Sequence, residues 1–335
     1  MGAGKTGTSA LQVAFAQNQE RLLESGVLYP ESVSNNAAEL GKITSGNGAE
    51  LAKYLNPDLK VPENFNSNAV GRDFDKALRS GKNVLYSSEF FWSFKPDHLK
   101  AMIERSAQSD YRIKIVYYIR SIAGHAASVY SQTIKRQKSE SSFEQFLIKR
   151  YKNPFLSTIE RANEAVGREN VLIYNFDVVR ENLFAHFLQK ILSINIGGAD
   201  FVFPRNVNRS LNAFEVEFMR YLNARFEKPY QATFVSDALI YANDEVRPEF
   251  TITPSEMKLL ESQFSAIVDK LNEYVIGEKV QLCDSSVIEG ERPQIQLNDF
   301  ERSVLSVLAR LVPTSPMPEG ALTFRALKRL RRVGT

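Results

Sequence analysis

Within eight residues the chain places Gly2, Gly4, Gly7, Lys5, Thr6, Thr8 and Ser9, directly before an amphipathic helix, and few folds accommodate such a start. Glycines let the backbone turn tightly and bring its N–H groups close to an anion. The helix N-terminus adds unsatisfied donors and a positive dipole end. Lys5 adds a mobile positive charge, and the three hydroxyls add donors. The physical reading is a cradle for a phosphate or sulfate group. A loop of this kind normally follows a buried strand in a strand–loop–helix unit. Here Met1 already lies in the loop. The strand is either lost or, as the favoured expectation, encoded upstream of an internal Met taken as the start. N-terminal targeting signals are therefore unreadable.

The rest of the chain alternates. Ser9–Glu24 is expected to be one helix, with Leu11, Ala14, Phe15, Leu22 and Leu23 on its apolar face and Gly26 beyond its end. Residues 31–70 read as a loop-rich insertion, either a flap or a mobile loop, with a short helix near Ala49–Leu55. Val84–Ser88 reads as a buried strand ending at Glu89, and Ile113–Ile119 as a second ending at Arg120. Val171–Tyr174 is a third, followed by a helix over Leu183–Leu192. Helices are expected at Gly71–Ser80, from Pro96 to Ala107, onward from Arg120 to Gln137, at Ser142–Arg150 and at Phe155–Val166. This order predicts an α/β fold: a P-loop-like parallel sheet flanked by helices, its first strand missing, with a helical C-terminal part. Ligands on such sheets bind at the carboxyl ends of the strands.

Residues 1–200 form the expected core and 201–280 its helical completion. In the latter, Asn212–Glu215 and Thr253–Glu256 are helix-start signals. Leu211, Phe214, Phe218, Leu222 and Phe226 make one expected core stripe, and Leu260, Phe264, Ile267, Val268, Leu271 and Val275 another. Residues 281–335 carry a last helix, a proline linker and a basic tail.

Lys5-Thr6-Gly7-Thr8-Ser9-Ala10-Leu11-Gln12 resembles the Lys-Thr-Gly-Thr-(Thr/Ser)-x-Leu-Gln loop of sulfotransferases. Asn18 to Arg21, with Leu22-Leu23-x-x-Gly26-Val27-x-Tyr29-Pro30, resembles the bacterial branch of that family. Arg120, with Ser128-Val129-Tyr130 after it, is similar to the family's Arg-x7-Ser-x-Tyr element. The resemblance implies 3′-phosphoadenosine 5′-phosphosulfate as co-substrate. Gly4, Lys5, Thr6, Gly7, Thr8 and Ser9 would hold its 5′ end, and Arg120 and Ser128 its 3′-phosphate. Lys5 would stabilise the leaving group, and no metal is expected. The acceptor would be a hydroxyl, of a carbohydrate by analogy with bacterial relatives.

That acceptor needs a general base. Glu89 at a strand end is the first candidate, and His98 and His125 are the alternatives. His186 reads as structural. Two rivals stay open. Gly4-Lys5-Thr6 matches the end of a kinase or nucleotide-hydrolase P-loop, though the first glycine of that motif is missing. A non-catalytic nucleotide-binding protein, inactive for want of its first strand, is the other.

Composition sets limits. A net charge of +3 gives no reason to expect nucleic-acid binding, and the single cysteine, Cys283, excludes an internal disulfide framework. No apolar run approaches the length of a membrane span and no signal-peptide pattern is visible, so a cytoplasmic location is expected. Arg325, Lys328, Arg329, Arg331 and Arg332, with no acid after Glu319, form a tail able to touch an anionic membrane or a partner, though a solvated terminus is the preferred reading.

Overall fold

In the computed structural model the described residues are 5–32, 34–40, 44–197, 201–203, 210–242, 249–293 and 296–315. Gly4 and the basic tail lie outside them. Among the described residues are seven strands, all in parallel pairs, with helices between successive strands except the last two. They are β1 (Val27–Leu28), β2 (Asn83–Val84), β3 (Ile115–Ile119), β4 (Val171–Asn175), β5 (Phe250–Ile252), β6 (Val275–Ile276) and β7 (Val287–Glu289). The architecture is the expected α/β one of parallel strands flanked by helices. The chain divides into two compact units. One comprises residues 1–125, 153–207 and 264–282; the other comprises 126–152, 208–263 and 283–335.

The first unit holds two sheets, β1-β2 and β3-β4-β6. All five residues of β3 are buried, as a β-branched and aromatic run covered on both faces should be. Its register with β4 pairs Ile119 with Asn175. Helix α1 (Thr8–Gln17) packs Phe15 against Tyr29, Phe184 and Phe187, with ring centroids 5.5, 5.8 and 4.9 Å away. The loop ahead of α1 is thereby fixed to the core.

The single helix expected over Ser9–Glu24 is two. Buried Asn18 breaks it: its amide donates to the carbonyls of Ala14 and Val202 and accepts from Val202 N–H, and α2 (Gln19–Glu24) restarts beyond it. Leu23, placed on the core face, is exposed. The strand expected over Val84–Ser88 is only Asn83–Val84. Its partner β1 is stopped by Tyr29-Pro30, and proline brings no ladder donor. The helix expected over Leu183–Leu192 is α-helical to His186 and then widens into a π turn over Phe187–Ile191. Val275 lies on β6 rather than on the helix before it. The helices at Ala49–Leu55, Pro96–Ala107 and Phe155–Val166 form as read.

The second unit contains β5 and β7 and an aromatic cluster. There Phe143 meets Tyr130 at 5.2 Å and Phe250 at 4.9 Å. Arg292 donates to Glu256 at 2.7 Å beside the same rings. Both capping boxes read from sequence form. Phe214 is exposed; Leu211, Leu222 and Phe226 of the expected stripe are buried, and Val216 and Met219 join them. The last described helix, Asp299–Leu311, leaves Phe300 and Leu311 largely exposed. Among the described residues no helix is long and apolar enough to cross a membrane.

Candidate functional site

The loop before α1 is built from unusual backbone. Lys5 and Gly7 both adopt left-handed conformations, with φ 75° and 76°, on either side of Thr6. Such turns point successive N–H groups to one side and make a concavity for an anion. For Lys5, which is not glycine, the conformation is costly, and strain of this kind gathers at ligand-binding loops. Thr6 and Thr8 are 1% and 5% exposed. Among the described residues the Thr8 Oγ1 has no hydrogen-bond partner, and neither amide atom of buried Gln12 has one. A buried polar atom left unsatisfied costs about 1–3 kcal/mol, so such atoms beside one loop are candidates for contact with water or a polar ligand.

Gly7 also has a packing reason. A Cβ there would lie 2.4 Å from Leu183 Cδ2 and 2.7 Å from Phe176 Cε2. Phe176 is the first residue after β4, and the parallel register carries Arg120, the first residue after β3, to the position across from it. The Arg120 guanidinium stands 5.6 Å from the Phe176 ring centre. The cradle and Arg120, 113 residues apart from Gly7 in sequence, therefore abut one aromatic ring.

Sequence reasoning left Asp177 without a role. Its Oδ1 lies 3.4 Å from Arg120 Nε, with side-chain exposures of 12% for the arginine and 11% for the aspartate. Its Oδ2 accepts from Ser121 N–H at 2.6 Å. Asn175 in turn accepts from Asp177 N–H and donates to the Lys279 carbonyl. Asp177 thus stands as an ion-pair partner at the Nε edge of Arg120, with no hydrogen bond between Oδ1 and Nε. The Nη fork is the part of arginine that matches a phosphate bidentately. The available signal was positional: in a parallel sheet, neighbouring strands end side by side, so the residues after β3 and β4 should have been read together.

Ser87, Ser88 and Glu89 follow the β2 edge. Ser88 Oγ caps the short 3₁₀ helix Glu89–Ser93 by accepting from Phe90 N–H. Glu89 itself is exposed and makes no hydrogen bond or ion pair among the described residues. The capping task belongs to Ser88, so the Glu89 carboxylate is available to solvent and ligand. Ser128 falls in the second unit, half-buried on the helix Ile122–Gln137. Among the histidines, His98 Nδ1 accepts from Lys95 N–H and serves the start of its helix. His125 is buried with its ring 4.7 Å from Phe155. His186 shares a hydrogen bond of 2.9 Å with the Tyr118 hydroxyl, and burial, with Lys190 nearby, pushes its pKa below the usual value.

Part of the insertion over 31–70 is tied to this end of the sheet. Asn47, 4% exposed, accepts from Ser87 N–H at 2.8 Å and donates to the carbonyls of Leu85 and Pro30. Gly48 N–H donates to the Ser87 carbonyl, and Gly46 lies against the Gln12 amide. These bonds take the backbone groups of 85–87 that a longer strand would have paired. Asn47→Ala is expected to lower stability by about 1–3 kcal/mol, because Ser87 N–H is left buried without an acceptor. Urea denaturation checks this, and a change under about 0.5 kcal/mol would mean the loop is not held there.

No family model and no curated protein matches the chain. Among solved structures, a sulfotransferase from Alicyclobacillus acidocaldarius is similar. It is 18% identical with a TM-score of 0.40, over 72% of this chain and 94% of that one.

Proposed function

We propose that this chain transfers a sulfuryl group from 3′-phosphoadenosine 5′-phosphosulfate to a hydroxyl, with carbohydrate as the acceptor class. The observation that carries the reading is the meeting of two separate anion-binding elements, the left-handed loop at Lys5–Gly7 and Arg120, at the Phe176 ring. A nucleotide bearing phosphate at both its 5′ and 3′ positions needs two such elements. A nucleoside triphosphate, with one phosphate chain, needs only the first. The loop motif and the Arg120–Ser128 spacing in the sequence support the same donor.

The residues present fit that donor. Thr8 Oγ1 and the loop N–H groups offer hydrogen bonds to the 5′-phosphate, alongside Thr6 and Ser9. Lys5 places positive charge where the leaving phosphate gains negative charge. Arg120 takes the 3′-phosphate; Ser128 is assigned to it by the sequence motif alone. The transfer is an in-line displacement governed by positioning and charge, as in phosphoryl transfer. As the acceptor oxygen bonds to sulfur, the bond from sulfur to the oxygen bridging it to the 5′-phosphate breaks, 3′-phosphoadenosine 5′-phosphate leaves with that oxygen and its electron pair, and the acceptor's proton passes to the Glu89 carboxylate.

Calorimetric titration of the purified chain with 3′-phosphoadenosine 5′-phosphate tests the reading, with ATP plus magnesium as the control. Binding of the bisphosphate is expected to exceed that of ATP. Arg120→Ala is expected to cost about 2–5 kcal/mol of affinity through loss of a buried charge-assisted contact. Glu89→Gln should spare binding and cut turnover once an acceptor is found. Preference for ATP with magnesium would favour the kinase reading.

A further inference from the structure

An amphipathic helix at a protein surface ordinarily turns its apolar stripe inward. The helix Asp299–Leu311 does the reverse. Its held side is small and polar. Ala309 is buried, Arg225 Nε donates to Ser306 Oγ at 3.2 Å, and Gln231 Nε2 donates to the carbonyls of Ala309 and Val312. Phe300, Val304, Val307, Leu308 and Leu311 are between 39% and 77% exposed. At 3.6 residues per turn these five fall within an arc of about 100° and extend about 17 Å along the axis. Asp299 and Glu301 stand at the Phe300 end of the stripe. Single exposed apolar side chains are ordinary, but a continuous stripe marks a surface that another element covers.

We propose that residues 322–333 of this chain, which lie outside the described residues, cover the stripe as a helix packed antiparallel to Asp299–Leu311. Three properties of that segment favour it. The first is spacing. Leu322, Ala326, Leu330 and Val333 recur at i, i+4, i+8 and i+11, as do Phe300, Val304, Leu308 and Leu311, so the two apolar faces have one length. The second is charge. The segment carries Arg325, Lys328, Arg329, Arg331 and Arg332 and no acid. In the antiparallel sense Arg331 and Arg332 arrive at the end that holds Asp299 and Glu301, and the two helix dipoles oppose. The third is the tether. Residues 312–321 reach at most about 33 Å when extended, and packed helices need only about 8–10 Å between axes. Pro313, Pro316 and Pro318 keep the first helix from running on into the second. The tether also gives the segment a millimolar effective concentration, which a second copy of the chain lacks. An anionic membrane would set its charge against Asp299 and Glu301.

The test is disulfide trapping in the full chain carrying Cys283→Ala, which leaves only introduced cysteines. One variant pairs Phe300→Cys with Val333→Cys and another pairs Phe300→Cys with Leu322→Cys. Oxidised glutathione closes the bonds in dilute protein, and peptide mass spectrometry gives their initial rates. The 300–333 bond is expected to close at least about ten-fold faster than the 300–322 bond, because docking holds position 333 beside 300. A free tail gives no such advantage, since the shorter loop to 322 closes at least as easily. Arg331→Glu with Arg332→Glu should slow the 300–333 bond several-fold. A second arm keeps Cys283 and uses the neutral dye Nile red. Leu330→Glu with Val333→Glu should uncover the stripe and raise dye fluorescence by at least about three-fold over the unaltered chain. The proposal is overturned if the 300–322 bond closes as fast, if bonds between two copies predominate, or if dye binding does not change. It is also overturned if the unaltered chain sediments with phosphatidylglycerol vesicles at physiological salt and Phe300→Ser with Leu311→Ser abolishes this, since the stripe would then be free for lipid. No readout involves an anion at Lys5–Gly7, so either outcome leaves the titration of the cradle unaffected.

Discussion

Gly7→Ala is expected to destabilise the chain by about 2–5 kcal/mol and, if the loop holds an anion as proposed, to abolish that binding. Two costs add. A residue with a Cβ pays about 1–2 kcal/mol to hold the left-handed conformation that Gly7 adopts at φ 76°. The new methyl would also overlap Leu183 Cδ2 and Phe176 Cε2, and overpacking of this kind costs about 1–3 kcal/mol. Gly26 separates the two. It has φ 82° but nothing within 4 Å of its Cβ position, so Gly26→Ala should show the backbone cost alone. Urea denaturation of both variants measures the difference. Equal losses would mean that the Leu183 and Phe176 side chains simply move aside and that the loop is not wedged against them. The functional consequence runs through Phe176: pushing its ring away from Gly7 also displaces the surface on which Arg120 rests.

The other large effect is expected at Asp177. Removing one member of a buried ion pair leaves the remaining charge poorly compensated and costs about 3–5 kcal/mol. With the pair's side chains 12% and 11% exposed and the closest approach 3.4 Å, the lower part of that range applies. Asp177→Ala also deprives Ser121 N–H of its acceptor. About 3 kcal/mol of lost stability is expected. Asp177→Asn keeps an acceptor for Ser121 and should lose less. Arg120→Leu combined with Asp177→Leu should cost less than the two single changes summed, because no charge is left buried. Simple additivity would show that the two residues are neighbours without coupling. If Arg120 receives a phosphate, Asp177→Asn should also shift bisphosphate affinity, whereas a purely structural pair would leave affinity untouched.

Much of this was legible without coordinates. The glycine and lysine spacing of 4–9, the apolar run of β3, and the capping residues Asn212, Glu215, Thr253 and Glu256 act through contacts a few residues away, which sequence spacing encodes directly. The position of Arg120 directly after β3 was equally readable, whereas Glu89, read as ending a strand, lies beyond the end of β2 at Val84 and opens a 3₁₀ helix. What failed was decided at long range. Asn18 breaks a helix that local propensity would continue, because its partner Val202 lies 184 residues away. The run over 84–88 has strand composition, yet its ladder stops where β1 meets Pro30, and Asn47 takes up the remaining groups.

By itself, then, the sequence determined a tightly turning glycine-rich loop ahead of a buried helix and a parallel α/β architecture, since glycine freedom, helix caps and apolar runs are local properties. Tertiary structure alone decided that the loop, Phe176, Arg120 and Asp177 form one neighbourhood. The reason is the in-register pairing of β3 with β4, which sets Arg120 and Phe176 side by side, and the packing of Gly7 against that ring. It alone also decided that β2 and β3 end two separate sheets beside a common cavity, since strand order depends on pairings that no local pattern specifies.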